Sequence, residues 1–475
     1  MTDAALLVSA NRAFVVAPAG CGKTELIAKS VHRDAARRSL ILTHTYAGVD
    51  SLRKRLKAIG AKVSSYEVDT IAGWSLRLAV SFPSTSRITT DRPINEQWND
   101  IYRAVSRILL IHAIKTVVRA SFKSIYVDEY QDCSVLQHEV VLNLAEILPV
   151  RILGDPLQGI FDFGGSEIVD WQIHVRPNFD ELPRLKEPHR WAEKNSILGG
   201  WLLTVRESLE GGRPIDLRAA PNGCLKFVQL PTDRGQSANI QRETCMSATC
   251  RSGETLIAIH HWEGQCHNIA RQSGGKFRSP ETIECEELFK AAKRFDDASD
   301  KRALVRAAFE FACLCLTKVK TNLERPVERL LNGRGLGERR QYVRQEQVDA
   351  LAKILDDGSL SSVKKALMTL ARTPGTVKAR YELFQEMLSA LNEYETGRHL
   401  SLTDAAIRTR ERTRRTGRTP GRYVVSRTLL IKGLEFDHAI VLDASALDKK
   451  NLYVALTRGS RSLTVLATSP VLTPQ

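Results

Sequence analysis

Residues 17–24 read Ala17-Pro18-Ala19-Gly20-Cys21-Gly22-Lys23-Thr24, directly after the apolar run Phe14-Val15-Val16. A β-rich stretch feeds a glycine-bearing turn, and the helix-compatible Glu25-Leu26-Ile27-Ala28 follows. In a strand–loop–helix unit of this kind the backbone N–H groups of the loop point inward. The helix N-terminus adds positive potential, so a polyphosphate is held there. The pattern assigns Ala19, Gly20, Cys21, Gly22, Lys23 and Thr24 to the phosphates. Lys23 is expected to reach the β- and γ-phosphates, and the Thr24 hydroxyl to ligate Mg²⁺. The usual pattern opens on Gly, and here Ala17 stands in that place.

A second motif follows in Ile125-Tyr126-Val127-Asp128-Glu129-Tyr130-Gln131-Asp132. A β-rich run ends in two adjacent acids. Asp128 at the strand end suits Mg²⁺, and Glu129 suits the orientation and deprotonation of an attacking water. Alone, Asp-Glu after a strand is a common surface turn. After a phosphate loop in the same chain, it predicts a parallel sheet with ATP or GTP, and Mg²⁺, at the carboxyl ends of its strands.

Composition bounds the partners. The chain has 475 residues, 43% hydrophobic and 26% charged, with 69 Lys plus Arg against 54 Asp plus Glu, a net charge of +15. Such a charge favours an anionic polymer, in the first place nucleic acid. The apolar stretch from Ile108 to Val118 is broken by His112 and Lys115, which excludes a membrane span there. There is no charged-then-apolar leader, so a cytoplasmic protein with no membrane partner is expected. Nine cysteines without a framework suit a reducing compartment. Cys245, Cys250 and Cys266 lie near His260, His261 and His267, in spacings that fit no zinc or iron–sulfur pattern.

Asp-Glu-Tyr-Gln-Asp resembles the Asp-Glu-Phe-Gln-Asp element of UvrD/Rep/PcrA-like superfamily 1 DNA helicases, and further elements of that family follow in order. Leu42-Thr43-His44-Thr45-Tyr46-Ala47 sits where the family touches single-stranded DNA, and Asp69-Thr70-Ile71-Ala72-Gly73-Trp74 sits at its Thr-Phe-His element. Leu153-Gly154-Asp155-Pro156-Leu157-Gln158-Gly159-Ile160-Phe161 resembles Gly-Asp-x-x-Gln-Ser-Ile-Tyr, and Leu185-Lys186-Glu187-Pro188-His189-Arg190 resembles Leu-x-x-Asn-Tyr-Arg. Lys432-Gly433-Leu434-Glu435-Phe436 matches Lys-Gly-Leu-Glu-Phe, and Tyr453-Val454-Ala455-Leu456-Thr457-Arg458-Gly459 resembles Tyr-Val-Ala-Leu-Thr-Arg-Ala.

The resemblance implies an ATP-hydrolysing DNA translocase moving 3′ to 5′ on single-stranded or forked DNA. It implies roles as well. Gln158 senses the γ-phosphate, Arg190 and Arg458 contact it from the second motor domain, Glu435 binds the ribose, and His189 faces the base. Thr43, His44, Thr70, Trp74, Phe161 and Phe163 are expected along the DNA. An aromatic such as Trp74 or Phe163 near a strand end either stacks on a base or sits in the core.

Departures from the family matter. The first Gln of the chain is Gln97, so no Gln precedes the phosphate loop to read adenine, and His189 replaces a stacking tyrosine. Weak base selectivity is therefore expected, with ATP still preferred.

The fold implied is α/β, with two RecA-like parallel-sheet motor domains and two mostly helical insertions. The first motor domain is expected over 1–75 plus 120–175 and the second over 176–273 plus 421–475. A small helical insertion occupies 76–119, where Ile101, Val105, Ile108, Leu109 and His112 follow helical spacing, and a larger one 274–420. The stretch from Arg408 to Arg422 holds seven arginines against Glu411; it reads as a duplex or partner contact, or as a solvated face. No nuclease carboxylate–lysine pattern is found. In size and plan the chain is similar to the helicase subunit of Gabija-type phage-defence systems, which implies a separate nuclease subunit as partner. A DNA-gated ATPase switch that does not unwind is the alternative reading, and a role in DNA repair is the family's other setting.

Overall fold

The run Ala13–Val16 is apolar at every position and buried at every position, which is how a strand reads when both faces of its sheet are covered. In the computed structural model, which describes residues 3–91, 93, 96–161, 167–282, 285–333, 345–416 and 421–474, this run is the heart of β1 (Arg12–Val16). With β2 (Ser39–Thr43), β3 (Tyr66–Thr70), β4 (Ser124–Val127), β5 (Val150–Gly154) and β6 (Asp180–Glu181) it makes a six-stranded sheet. The order is β3-β2-β4-β5-β1-β6, and every pairing is parallel. Val16 is level with Gly154, and Thr43 with Thr70, so the loops that follow these strands leave from one edge.

Both faces are covered. Leu7, Ile27, Val31, Leu52 and Tyr126 form one apolar cluster, and Ile101, Val105, Val140, Leu144 and Trp171 belong to another. Helix Gln97–Ile108 carries Ile101 and Val105 into this second cluster. The expected insertion at 76–119 therefore contributes to the core of the first sheet. β6 lies beyond the expected boundary at residue 175, because Asp180 and Glu181 pair with Ala13 and Phe14, and the amide of Leu182 donates to the Phe14 carbonyl at 3.0 Å.

The chain divides into two compact units. The first is Met1–Lys226 with Leu447–Leu463 and Pro470–Gln475, and the second is Phe227–Ala446 with Thr464–Ser469. Within the first, β7 (Ile215–Asp216) pairs antiparallel with the C-terminal Val471–Leu472 strand. In the second sheet, β8 (Lys226–Gln229), β9 (Leu256–Ile259), β10 (Tyr423–Ser426), β11 (Phe436–Val441) and β12 (Gly459–Ala467) follow the order β10-β9-β11-β12-β8. β10, β9 and β11 run parallel. The architecture is α/β, with two RecA-like sheets.

Among the described residues of 286–416 the regular elements are helices, from Glu286–Asp296 to Leu402–Thr416. Val305, Ala308, Ala312, Val363, Ala366, Leu367 and Leu370 meet in one core there, as their helical spacing predicts. The described arginines of the 408–422 stretch are engaged within the second unit. Arg410 is 2% exposed beside Glu382 and Glu386, Arg412 pairs with Glu393, and Arg422 donates to the Cys250 carbonyl. Arg414, Arg415 and Arg418 lie outside the residues whose side chains are described.

Candidate nucleotide and nucleic-acid site

β1 ends at Val16, and the amide of Ala17 donates to the Gly154 carbonyl at 2.9 Å, which fixes the loop's start to β5. Gly20 and Gly22 have φ of 70° and 86°. A Cβ at Gly20 would lie 2.6 Å from Trp191 Cζ3 and 2.8 Å from Arg190 Cβ, so glycine is required there by space as well as by φ. Gly22 precedes helix Lys23–Arg33 without any side-chain cap, which leaves the helix's first N–H groups open to an anion.

The charged groups converge on this loop. Lys23 Nζ is 3.4 Å from Glu129 Oε2, and the Thr24 hydroxyl donates to Asp128 Oδ2 at 3.4 Å. Burial works against the Lys23 charge, but Glu129, Asp128 and Asp155 outweigh it, and its pKa is raised. Burial, then the neighbouring Glu129, pushes the Asp128 carboxyl up to about 7 against the pull of Lys23.

Glu129 has φ 56°, a left-handed conformation that costs a non-glycine residue about 1–3 kcal/mol unless its surroundings impose it. They do. Its amide donates to Asp128 Oδ1 at 2.9 Å, and Gln131 Nε2 donates to Glu129 Oε2 at 2.6 Å. Gln131 Oε1 in turn accepts from the Asp155 amide at 2.9 Å. Gln131 thus ties the expected water-activating carboxylate to the end of β5. It had no role in the sequence reading, although it lies inside the Asp-Glu-Tyr-Gln-Asp run.

Gln158 Nε2 donates to Asp155 Oδ2 at 2.7 Å, and Arg458 Nη2 donates to Gln158 Oε1 at 3.4 Å. Arg458 is 1% exposed and also donates to the Val454 carbonyl. Arg190 Nη1 donates to the Thr457 carbonyl at 2.8 Å, and the Arg190 amide donates to the Gly20 carbonyl at 3.2 Å. The two arginines expected from a second motor domain therefore stand in the first unit, in the same body as the phosphate loop. A cavity of 380 Å³ beside the loop is lined by Cys21, Gly22, Leu26, Lys29, Leu185 and His189, among others. Glu435 lies in the second unit, just before β11.

The expected DNA residues divide. Thr43 and Thr70 are buried register partners at the carboxyl ends of β2 and β3. The Thr70 hydroxyl accepts from the Gly73 amide and caps helix Ile71–Ser81. His44 is half-buried, with Nε2 3.4 Å from Cys133 Sγ. Phe161 is half-buried, and Phe163 lies outside the described residues. Trp74 is corrected: at 5% exposure it is packed into the core of the first sheet, and its ring faces are not offered to a base. Helix Ile71–Ser81 turns that side chain onto the apolar cluster, which sequence spacing alone does not reveal.

Residues 93–172, which hold the acidic motif and Gln158, match the UvrD/REP helicase N-terminal domain family. This stretch of the chain is thus similar to that helicase family. Solved structures similar to this chain include the helicase nonstructural protein 10 of an arterivirus in complex with DNA. That match has 11% identity and a TM-score of 0.36, and covers 98% of this chain and 62% of that one. The same arterivirus protein in a second structure gives 11% identity, 98% and 61% coverage and a TM-score of 0.37. The Pif1 helicase from Candida albicans gives 12% identity, 58% and 54% coverage and a TM-score of 0.32. The chain thus spans less than two thirds of the length of the arterivirus helicase. No curated protein matches it.

The residues at this loop fit a nucleoside triphosphate with a divalent cation. The open helix start and the Lys23 ammonium suit phosphate oxygens, and the raised Asp128 carboxyl is one that a cation beside Thr24 would relieve. Among the described residues no group of three or more His, Cys, Asp or Glu side chains is placed to hold a metal by itself. No described helix is long and apolar enough to cross a membrane.

Proposed function

We propose that this chain is an ATP-dependent DNA translocase or helicase, moving 3′ to 5′ along single-stranded DNA. The observation that supports it is the meeting of Lys23, Thr24, Asp128, Glu129, Gln158 and Arg458 around one phosphate loop. In this reading Lys23 and the N–H groups of Ala19 to Thr24 hold the β- and γ-phosphates. Mg²⁺, held through Thr24 and Asp128, supplies charge neutralisation at the phosphate oxygens. Glu129, aimed by its left-handed backbone and by Gln131, orients the attacking water and takes its proton. Gln158 senses the γ-phosphate, and Arg190 and Arg458 offset the charge of the transferring group, a contribution worth about 10³–10⁵ in rate elsewhere. His189 faces the base from the cavity wall, and Glu435 takes the ribose.

His44 and Phe161, half-buried beyond the carboxyl ends of β2 and β5, form the strand-binding set, while the buried Thr43 and Thr70 support it from the strand ends. The first motor domain is built on β1–β6 and takes in helix Gln97–Ile108, the second is built on β8–β12, and a helical insertion spans the described residues of 286–416. A separate nuclease subunit, as in a phage-defence or repair complex, is the partner proposed.

The test is ATP hydrolysis with and without single-stranded DNA, beside strand displacement on duplexes with 3′ or 5′ tails. DNA-stimulated hydrolysis with displacement from the 3′ tail is expected. No hydrolysis with any nucleic acid would end the reading. Stimulated hydrolysis without displacement would favour the DNA-gated switch. One observation leans that way: within the 408–422 stretch Arg410 is buried against Glu382 and Glu386. Co-purification from its native operon tests the nuclease partner.

A further inference from the structure

Helix Ser196–Glu210 buries Leu198, Trp201, Leu202, Val205 and Leu209 along one stripe. Arg206 sits in that stripe and is 3% exposed. A guanidinium in such a place gives up its hydration, and an apolar side chain of similar volume is often as stable or more so. Core stability therefore does not call for an arginine here. The partners of the guanidinium give it another use.

Arg206 Nη1 donates to Asp155 Oδ1 at 2.6 Å and to the Tyr453 hydroxyl at 3.2 Å, and Nη2 donates to Glu210 Oε1 at 2.9 Å. Its plane lies over the Tyr453 ring, 5.4 Å from the centroid. Each of the first two partners leads to the nucleotide site in one further step. The Tyr453 hydroxyl accepts from the amide of Ala19 in the phosphate loop, at 3.1 Å. The other oxygen of Asp155 accepts from Gln158 Nε2, and Gln158 Oε1 accepts from Arg458. One buried side chain thus joins the phosphate loop to the Gln158–Arg458 pair. A lysine at this position would present one ammonium in place of two nitrogens, of which Nη1 serves Asp155 and Tyr453 and Nη2 serves Glu210.

We infer that Arg206 is a positioning residue for nucleotide hydrolysis, holding the phosphate loop and Gln158 in one geometry through Tyr453 and Asp155. This rests on the function proposed above. Arg206 itself touches neither phosphate nor metal. Its effect falls on the chemical step, where a small misplacement of the sensing and neutralising groups is costly, and not on ground-state affinity for the nucleotide.

The experiment is steady-state ATP hydrolysis, with and without single-stranded DNA, for the wild-type chain, Arg206→Met, Arg206→Lys and Tyr453→Phe, with Lys23→Ala as the inactive control. Arg206→Met is expected to lower kcat by about 10- to 100-fold and to blunt DNA stimulation, with KM for ATP within about threefold. Arg206→Lys should fall between it and the wild type. Tyr453→Phe removes only the hydroxyl that links Arg206 to Ala19, and a fall in kcat of about fivefold is expected. Thermal melting of each variant normalises rates to folded protein. Lowered Tm with wild-type kcat and DNA stimulation in Arg206→Met, or in Tyr453→Phe and Arg206→Lys should Arg206→Met fail to fold, would overturn the inference and leave the proposed function standing. A wild-type chain without hydrolysis would overturn both.

Discussion

Lys23 Nζ lies 3.4 Å from Glu129 Oε2, so the cation expected to grip the phosphates is held by the carboxylate expected to activate water. Nucleotide must exchange one partner for another on that ammonium. The two substitutions therefore separate. Lys23→Met leaves Asp128 and Glu129 as adjacent acids without their cation, and a lower Tm together with lost ATP binding is expected. Burial and then Glu129 push the Asp128 carboxyl up, and Glu129→Gln removes the second of these. It should hold or raise Tm, keep nucleotide binding, and lower kcat by about 10²–10⁴-fold. Melting curves and fluorescent-nucleotide titration check both; a Glu129→Gln chain of lowered Tm would contradict the electrostatic account.

The cavity beside His189 has apolar and charged walls, with no Asn or Gln among the described residues that line it. Its charged side chains (Glu25, Lys29 and Arg33 among them) are long and rotatable and not a fixed amide pair, and an imidazole stacks on any purine. We expect kcat/KM for ATP and GTP to agree within about tenfold, a discrimination no larger than one modest contact supplies. His189→Ala should raise KM for both nucleotides by about 2- to 10-fold, the worth of one aromatic stack. Strict ATP specificity in a side-by-side assay would show that base recognition lies elsewhere.

Acid sensitivity follows from two buried imidazoles. Burial, with His174 and Arg12 adding to it, lowers His138 to about 4, and Tyr130 Oη lies 2.6 Å from its Nδ1. In the second unit burial and His261 lower His260 to about 4. A histidine depressed in the folded state contributes full stability above its unfolded value near 6.5. That stability is lost as pH falls from there toward 4, by about 3 kcal/mol per histidine at the limit. The resulting fall in Tm between pH 6.5 and 5 is offset in part by Asp128, whose carboxyl, raised to about 7, gains stability as the pH drops over the same range. The paired variant Tyr130→Phe/His138→Phe, which removes the imidazole without stranding the tyrosine hydroxyl, should make the fall shallower. An unchanged slope would remove His138 from the account.

What the sequence made legible was local. Strand, loop and helix are contiguous in Phe14–Ala28, and Asp128 and Glu129 adjoin, so spacing alone announced the parallel sheet and the loop that meets those two acids. Gln158 and Arg458 were found as members of short runs. Their environment was not legible. Gln131 acts on Glu129 and on the Asp155 amide, and Arg206 joins Asp155 to a tyrosine near the far end of the chain. Such partners meet only through the sheet order, which no spacing encodes. Trp74 shows the converse: a helix has two faces, and a motif position does not say which one an aromatic takes.

The arginine-rich stretch shows the same limit on the charged side and yields a last prediction. Arg410 donates to Glu382 and Glu386 and to the Thr282 carbonyl. It sits in a buried cluster beside a second buried pair, Arg380 with Glu281. Burial raises the Glu386 carboxyl, and Arg410 opposes that rise. Arg410→Ala would strand the carboxylate in the interior, at a cost of about 3–5 kcal/mol. The loss should be larger at pH 8 than at pH 6, because Glu386 relieves it by taking a proton as the pH falls. Duplex affinity of the folded variant, and its slope against salt concentration, should stay at the wild-type values, since a guanidinium committed to two carboxylates releases no counterions from DNA. A salt slope reduced by about one unit with unchanged Tm would place Arg410 on a phosphate instead.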